Sequence, residues 1–138
     1  EEYSSLYYWT IDRSFMPGDE SERKAFLNVI HVLEDWRDYL RESKISKNAA
    51  LLPFDFSDEY LGFLKVDFSK NSDVFVSYCC TRSITGYAIS PSRWRDFLNK
   101  GDIALEYSTE EIEVSYSTIE DSLGHSIELI KSSMLSAT

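Results

Sequence analysis

Cysteine and glycine are both scarce in this chain, which has two Cys, adjacent at Cys79 and Cys80, and five Gly in 138 residues. Neighbouring side chains on an extended strand point to opposite faces, so this pair is badly placed to bond to itself. It builds no disulfide framework, which points to a reducing compartment, most simply the cytoplasm. So few glycines leave little material for a phosphate-cradling loop, and neither G-x-G-x-x-G nor a Walker-type sequence occurs. No apolar run approaches the roughly 18 residues of a membrane span. The two histidines, His31 and His125, have no His or Cys close in sequence, so metal-ligand spacing is missing. No G-x-S-x-G elbow offers a nucleophile held against a base. Cations are short as well: 14 Lys and Arg stand against 24 Asp and Glu, a net charge of −10. Such a field repels phosphate backbones and anionic lipid, so direct nucleic-acid and membrane partners are disfavoured.

Aromatic and aliphatic residues are plentiful. The hydrophobic fraction is 43%, with nine Tyr, eight Phe and three Trp, enough to offset the entropy of ordering. A chain of this size buries about two-thirds of its unfolded surface, so residues 1–138 read as a single domain needing no metal or disulfide to fold. No repeat, low-complexity tract or linker divides it.

Residues Tyr3 to Ile11 read as a first strand and Pro17-Gly18-Asp19 as a turn. Asp19 followed by Glu22 resembles a capping box opening a helix from Glu20 to Ser43, along which Phe26, Val29, Ile30, Leu33, Trp36 and Leu40 form an apolar stripe. A polar linker at Lys44–Asn48 leads past Pro53. Strands are expected at Leu61–Phe68, with Leu64, Val66 and Phe68 on one face, and at Asp73–Thr81, with Val74, Val76, Tyr78 and Cys80 on one face. The turn between them is placed at Ser69–Ser72, and a third strand of this group at Ser83–Ser90. Ser90-Pro91 caps a short helix through Trp94, Phe97 and Leu98 that stops at Gly101. Two further strands, Asp102–Tyr107 and Ile112–Ser117, precede a closing helix on Ile119, Leu123, Ile127, Ile130 and Met134. Gly124 weakens that helix, and Ser126–Lys131 reads equally as a strand. The order β-α-β-β-β-α-β-β-α implies an α+β fold: a mostly antiparallel sheet of five to six strands, with one long helix and one or two shorter helices segregated to one face.

Catalytic constellations are hard to assemble from this material. His31 flanks the apolar stripe and reads as a boundary residue, His125 as part of a turn or helix, and the Cys pair as small hydrophobes on a strand. No catalytic residue, metal ligand or cofactor is expected, and the chain is not expected to be an enzyme. Acid, however, is unevenly placed. From Gly101 to the end stand eight carboxylates and one Lys, so most of the net −10 lies in about a quarter of the chain. Glu106, Glu110, Glu111, Glu113, Glu120 and Asp121 are interleaved with Tyr107 and Tyr116. Tyr anchors protein interfaces, and carboxylates pair with a partner's Lys or Arg. These eight residues are therefore the candidate partner-binding set. A solvated outer sheet face kept acidic for solubility explains the same pattern.

The run Val74-Phe-Val-Ser-Tyr78 through Ile84-Thr-Gly-Tyr-Ala-Ile-Ser-Pro-Ser92, followed by a short aromatic helix, resembles small bacterial immunity proteins of contact-dependent and other polymorphic toxin systems. The resemblance covers about a third of the chain and transfers no site residue. It implies a compact acidic cytoplasmic protein that occludes the active site of a cognate toxin, often a basic nuclease. The competing expectations are an enzyme or small-molecule binder using His31 or Cys79 with a carboxylate, a generic interaction adaptor, and a surface protein, should a signal peptide precede Glu1.

Overall fold

Ser21, with extended φ and ψ of −74° and 158°, accepts a hydrogen bond from the Lys24 N–H through its side chain and starts the long helix. The cap is therefore Ser21 rather than Asp19, whose carboxylate instead accepts from the Ser21 N–H at 2.8 Å. The computed structural model describes residues 7–70, 73–85, 89–98 and 103–136. In chain order it has helix α1 (Tyr7–Thr10), helix α2 (Glu22–Ser46), strands β1 (Ala49–Phe56), β2 (Leu61–Asp67) and β3 (Val74–Thr81), a 3-10 turn at Pro91–Arg93 running into helix α3 (Trp94–Leu98), strands β4 (Tyr107–Ser108) and β5 (Ile112–Val114), and helix α4 (Tyr116–Ser136). The fold is α+β with a five-stranded antiparallel sheet in the order β1-β2-β3-β4, β5 also pairing with β3. No helix among the described residues is long and apolar enough to cross a membrane.

α2 buries Ala25, Val32, Trp36 and Leu40 against Ala50, Leu52, Val66 and Val74 of the sheet. It runs three residues past Ser43, because Ser43 is itself buried and the Lys44 ammonium sits 4.3 Å from the Tyr116 ring. Lys47, in the left-handed conformation, ends it by donating to the Lys44 and Ser43 carbonyls. A smaller cluster of Leu61, Phe63 and Cys79 packs on Ile84, Ile89, Leu98 and Ile103. Phe63 and Cys79 are cross-strand partners pointing away from the face of Val66 and Val76, as strand alternation requires. Cys79 is buried and Cys80 half-buried, both free thiols.

Several elements differ from expectation. The first strand is instead the short helix α1 over its described residues, Tyr3–Leu6 lying outside them. Its aromatics serve packing rather than extended structure, with Trp9 buried edge-on to Phe56 at 5.5 Å. β1 occupies the Pro53 region that sequence patterning passes over. Among the described residues the sheet order leaves its outer side unpaired, so Pro53 forfeits no ladder hydrogen bond, and the register shifts between Pro53 and Asp55. Of the expected strand Ser83–Ser90, residues 83–85 and 89–90 are irregular and cover the smaller cluster, while Gly86–Ala88 lie outside the described residues. The Ser69–Ser72 turn is described only at Ser69 and Lys70, and the expected stop at Gly101 lies outside the described residues. Ser90 precedes the 3-10 turn without a side-chain capping bond. Residues 126–131 are helical, not a strand. A Cβ at Gly124 would meet nothing within 4 Å, so this glycine costs the helix only propensity.

Gly62 is the glycine that the packing requires. A Cβ there would lie 2.5 Å from the Tyr78 hydroxyl oxygen and 2.7 Å from the Asp55 Cβ, two residues already joined by a 2.8 Å hydrogen bond. Gly62→Ala is expected to cost about 1–3 kcal/mol through overpacking, seen as a lower urea midpoint. An unchanged midpoint would show that β1 yields freely at this point.

Candidate functional site: the acidic sheet edge

β4 and β5 form one interrupted edge strand. Tyr107 and Ser108 pair with Cys80 and Cys79, and Ile112, Glu113 and Val114 with Val76, Phe75 and Val74. The register advances by one residue between the two segments, which makes the intervening 109–111 a bulge. Thr109 secures it: its N–H donates to the Tyr78 carbonyl at 2.8 Å, and its hydroxyl accepts from the Tyr78 N–H at 2.9 Å. Among the described residues no strand pairs with the outer side of this edge. The expected strands Asp102–Tyr107 and Ile112–Ser117 thus shrink to a broken ladder, and Tyr116 and Ser117 belong to α4.

Five of the eight candidate residues share this edge. Tyr107 is 56% exposed, its ring 6.5 Å from that of Tyr78. Tyr78 in turn donates to Asp55, and burial followed by that carboxylate pushes its phenol well above the ordinary value. Glu106 accepts from the Arg82 N–H at 3.3 Å. In the bulge, Glu111 pairs with Lys70 at 3.1 Å, whereas Glu110 is exposed and makes no ion pair among the described residues. At Glu113 the neighbouring Asp73, by hydrogen bonding between the two carboxyls and then by its charge, raises the carboxyl above its usual range. Between these acids Ile112 is 66% exposed.

The other three are placed elsewhere. Tyr116 is half-buried, edge-on to Phe68 at 5.7 Å and donating to Glu120 at 3.0 Å. Desolvation, then the Glu120 bond, pushes its phenol up to about 12. Glu120 also pairs with Arg41 at 3.0 Å, and the hydrogen bonds from Arg41 and Tyr116 hold its carboxyl low. Arg41, Tyr116 and Glu120 thereby clasp α4 to α2, their polar atoms spent inside the molecule. Asp121 is exposed on α4.

An apolar cleft of about 350 Å³, which sequence reading missed, opens beside Ile112. Trp36 of α2, Leu64 and Val76 of the sheet, and Ile119 and Leu123 of α4 line it together with Ile112. The amphipathic periods of α2, β2, β3 and α4 are each visible in the sequence, but the gap where their apolar faces fail to close exists only once they are assembled.

The residues weighed for catalysis are poorly disposed for it. His31, half-exposed within α2, stacks on Phe15 at 5.4 Å and lies 3.6 Å from Asp35, and His125 is exposed on α4. Burial raises the Cys79 thiol, the reverse of what an activated nucleophile requires. Among the described residues no three His, Cys, Asp or Glu cluster as a metal site. Compared with protein-family models, curated proteins and solved structures, the chain matches none.

Proposed function

We propose that this chain is a protein-binding module whose β4–β5 edge engages a cationic protein, and that it is an inhibitor covering the active site of a basic toxin, a nuclease above all. The observation carrying this reading is the outer edge of β4–β5, unpaired among the described residues, where the exposed Ile112 and Tyr107 stand among the exposed carboxylates Glu110 and Glu113. Clustered like charges repel each other, and a partner's Lys or Arg placed there would relieve them. Ile112 and the cleft beneath it accept an apolar anchor next to that cation, and Tyr107 supplies a rigid aromatic contact at the other end of the edge. A nuclease must carry positive charge to hold phosphates, so its active-site cleft offers the complementary surface. The resemblance of residues 74–92 to immunity proteins points to the same class. A cytoplasmic location follows from this role and from the free thiols.

The test is stopped-flow association with a basic toxin domain taken from a neighbouring gene, together with protection of cells expressing that domain. The association rate should fall steeply with added salt. The triple reversal Glu110→Lys, Glu111→Lys and Glu113→Lys should lower it by about 10- to 1,000-fold, the range that electrostatic steering commands. Tyr107→Ala should act mainly on the dissociation rate, by roughly tenfold or more, the scale of an interface anchor. Rates indifferent to salt and to the triple reversal would remove this edge from the interface.

A further inference from the structure

Lys24 lies in the first turn of α2, only 2% exposed, yet its side chain makes no ion pair or hydrogen bond among the described residues. Its apolar stem is buried, and the ammonium at its end keeps some solvent contact and has no protein partner among the described residues. It lines a cavity of about 650 Å³ that opens between α1, the 11–20 loop, the start of α2 and residues 89–91. Other charged groups on the wall are Arg13, Asp12, Asp19 and Glu20. Two of these carboxylates are already committed. Asp12 accepts from the Ser14 N–H at 2.9 Å, from the Asn28 amide at 3.0 Å and from the Ser92 N–H at 2.7 Å. Asp19 accepts from the Ser21 N–H at 2.8 Å, and Ser21, with Lys24 adding its charge, holds that carboxyl below its ordinary value. Tyr7, Tyr8, Ile11 and Ile89 supply aromatic and aliphatic wall.

We propose that this cavity is a binding site for a small monocarboxylic acid with an apolar body, its carboxylate received by Lys24. The N-terminal end of a 25-residue helix adds a favourable dipole at the same place. Lys24 and Arg13 can receive a single negative charge, while Asp12, Asp19 and Glu20 on the same wall repel a phosphate dianion about twice as strongly as a monocarboxylate. The apolar body of the acid covers the tyrosine and isoleucine surface. The site is independent of the acidic edge, so its success or failure leaves the toxin-inhibitor reading where it stands.

The probe is sodium benzoate, titrated into the full chain and followed through backbone amide shifts. Inorganic phosphate and benzylamine serve as the dianion and cation controls. Saturable shifts concentrated in residues 8–24 and 89–91 are expected with benzoate and with neither control. In Lys24→Met and Lys24→Gln the benzoate dissociation constant should rise at least tenfold. The melting temperature of Lys24→Met should hold or increase, because Met keeps the apolar stem and removes an ammonium that has no protein partner among the described residues. A merely structural lysine would instead lower it. Absent saturation by benzoate in the parent protein, shifts that survive in both variants, or preference for phosphate or benzylamine would each overturn the proposal. The parent titration decides the matter even if a variant fails to fold.

Discussion

Phe63→Ala is expected to destabilise the protein by about 3–5 kcal/mol, the range for deleting a fully buried aromatic ring. Phe63 is 0% exposed at the centre of β2, facing away from the long helix. With Leu61 and Cys79 it forms a small cluster roofed by Ile84, Ile89, Leu98 and Ile103. That roof has no sheet ladder of its own over its described residues 83–85, 89–90 and 103–106. Its position therefore depends mainly on side-chain burial, with the Glu106 N–H to the Cys80 carbonyl at 3.0 Å as a backbone tie to β3. Urea unfolding checks this: the midpoint should fall at nearly constant slope. Hydrogen exchange should also quicken at Ile84, Ile89 and Ile103 ahead of α2. Phe63→Leu, which keeps most of the volume, should recover more than half of the loss. A midpoint within experimental error of the parent would show that the roof collapses onto the sheet without cost.

Asp12→Ala is the second large effect, expected at about 3 kcal/mol or more, because each hydrogen bond to a charged acceptor contributes roughly 1.5–3 kcal/mol and its loss strands a buried donor. Asp12 is 2% exposed, and its two oxygens receive three donors, Ser14 nearby and Asn28 and Ser92 from distant parts of the chain. Through them it joins the loop after α1, the N-terminal part of α2 and the turn at Pro91, and the Asn28 amide also donates to the Trp9 carbonyl at 3.2 Å. Only donors converge on Asp12. Asp12→Asn therefore rescues the loss only in part, since its carbonyl oxygen can keep the acceptor at one position while its amide sets a donor against a donor at the other. A loss for Asn smaller than for Ala but still above about 1 kcal/mol is the expected signature in thermal or urea unfolding. An Asn variant within about 0.5 kcal/mol of the parent would mean that the carboxylate acts through shape alone, a scale typical of neutral surface changes.

This node bears on both functional proposals. It fixes α1 and the Pro91 turn on either side of the Lys24 cavity, and so sets that cavity's width. The acidic edge hangs instead from β3, whose other side is paired along its length with β2. Loss of Asp12 should therefore disturb the cavity more than the edge, and the two surfaces can be probed separately in variants that remain folded.

Much of the fold is legible in the chain because it rests on local period and burial. The apolar stripe from Phe26 to Leu40 predicts α2, and alternation predicts β2 and β3 with the correct faces, because these elements follow simple helical and strand periods. The segments that misread do so for physical reasons. Tyr7 to Thr10 carries residues of high strand propensity, but Trp9 finds its burial against Phe56 and α2 without a partner strand. Ala49 to Phe56 contains a proline that reads as a break, and only its place at the sheet edge makes Pro53 harmless. The acidic tract is visible as composition, yet the sequence cannot distinguish Glu120, spent on Arg41, from Glu110, which has no ion pair among the described residues.

Composition and short-range pattern by themselves determined an acidic α+β chain built on one long amphipathic helix and an antiparallel sheet, because charge totals, helical period and strand alternation are local properties. Tertiary structure alone decided which carboxylates meet one another, where α4 leaves an apolar cleft beside Ile112, and that Lys24 is enclosed at the wall of a cavity. Those features depend on contacts between residues far apart in the chain, such as Asp12 with Ser92 and Arg41 with Glu120. Their energies come from distance and desolvation, which sequence separation does not encode.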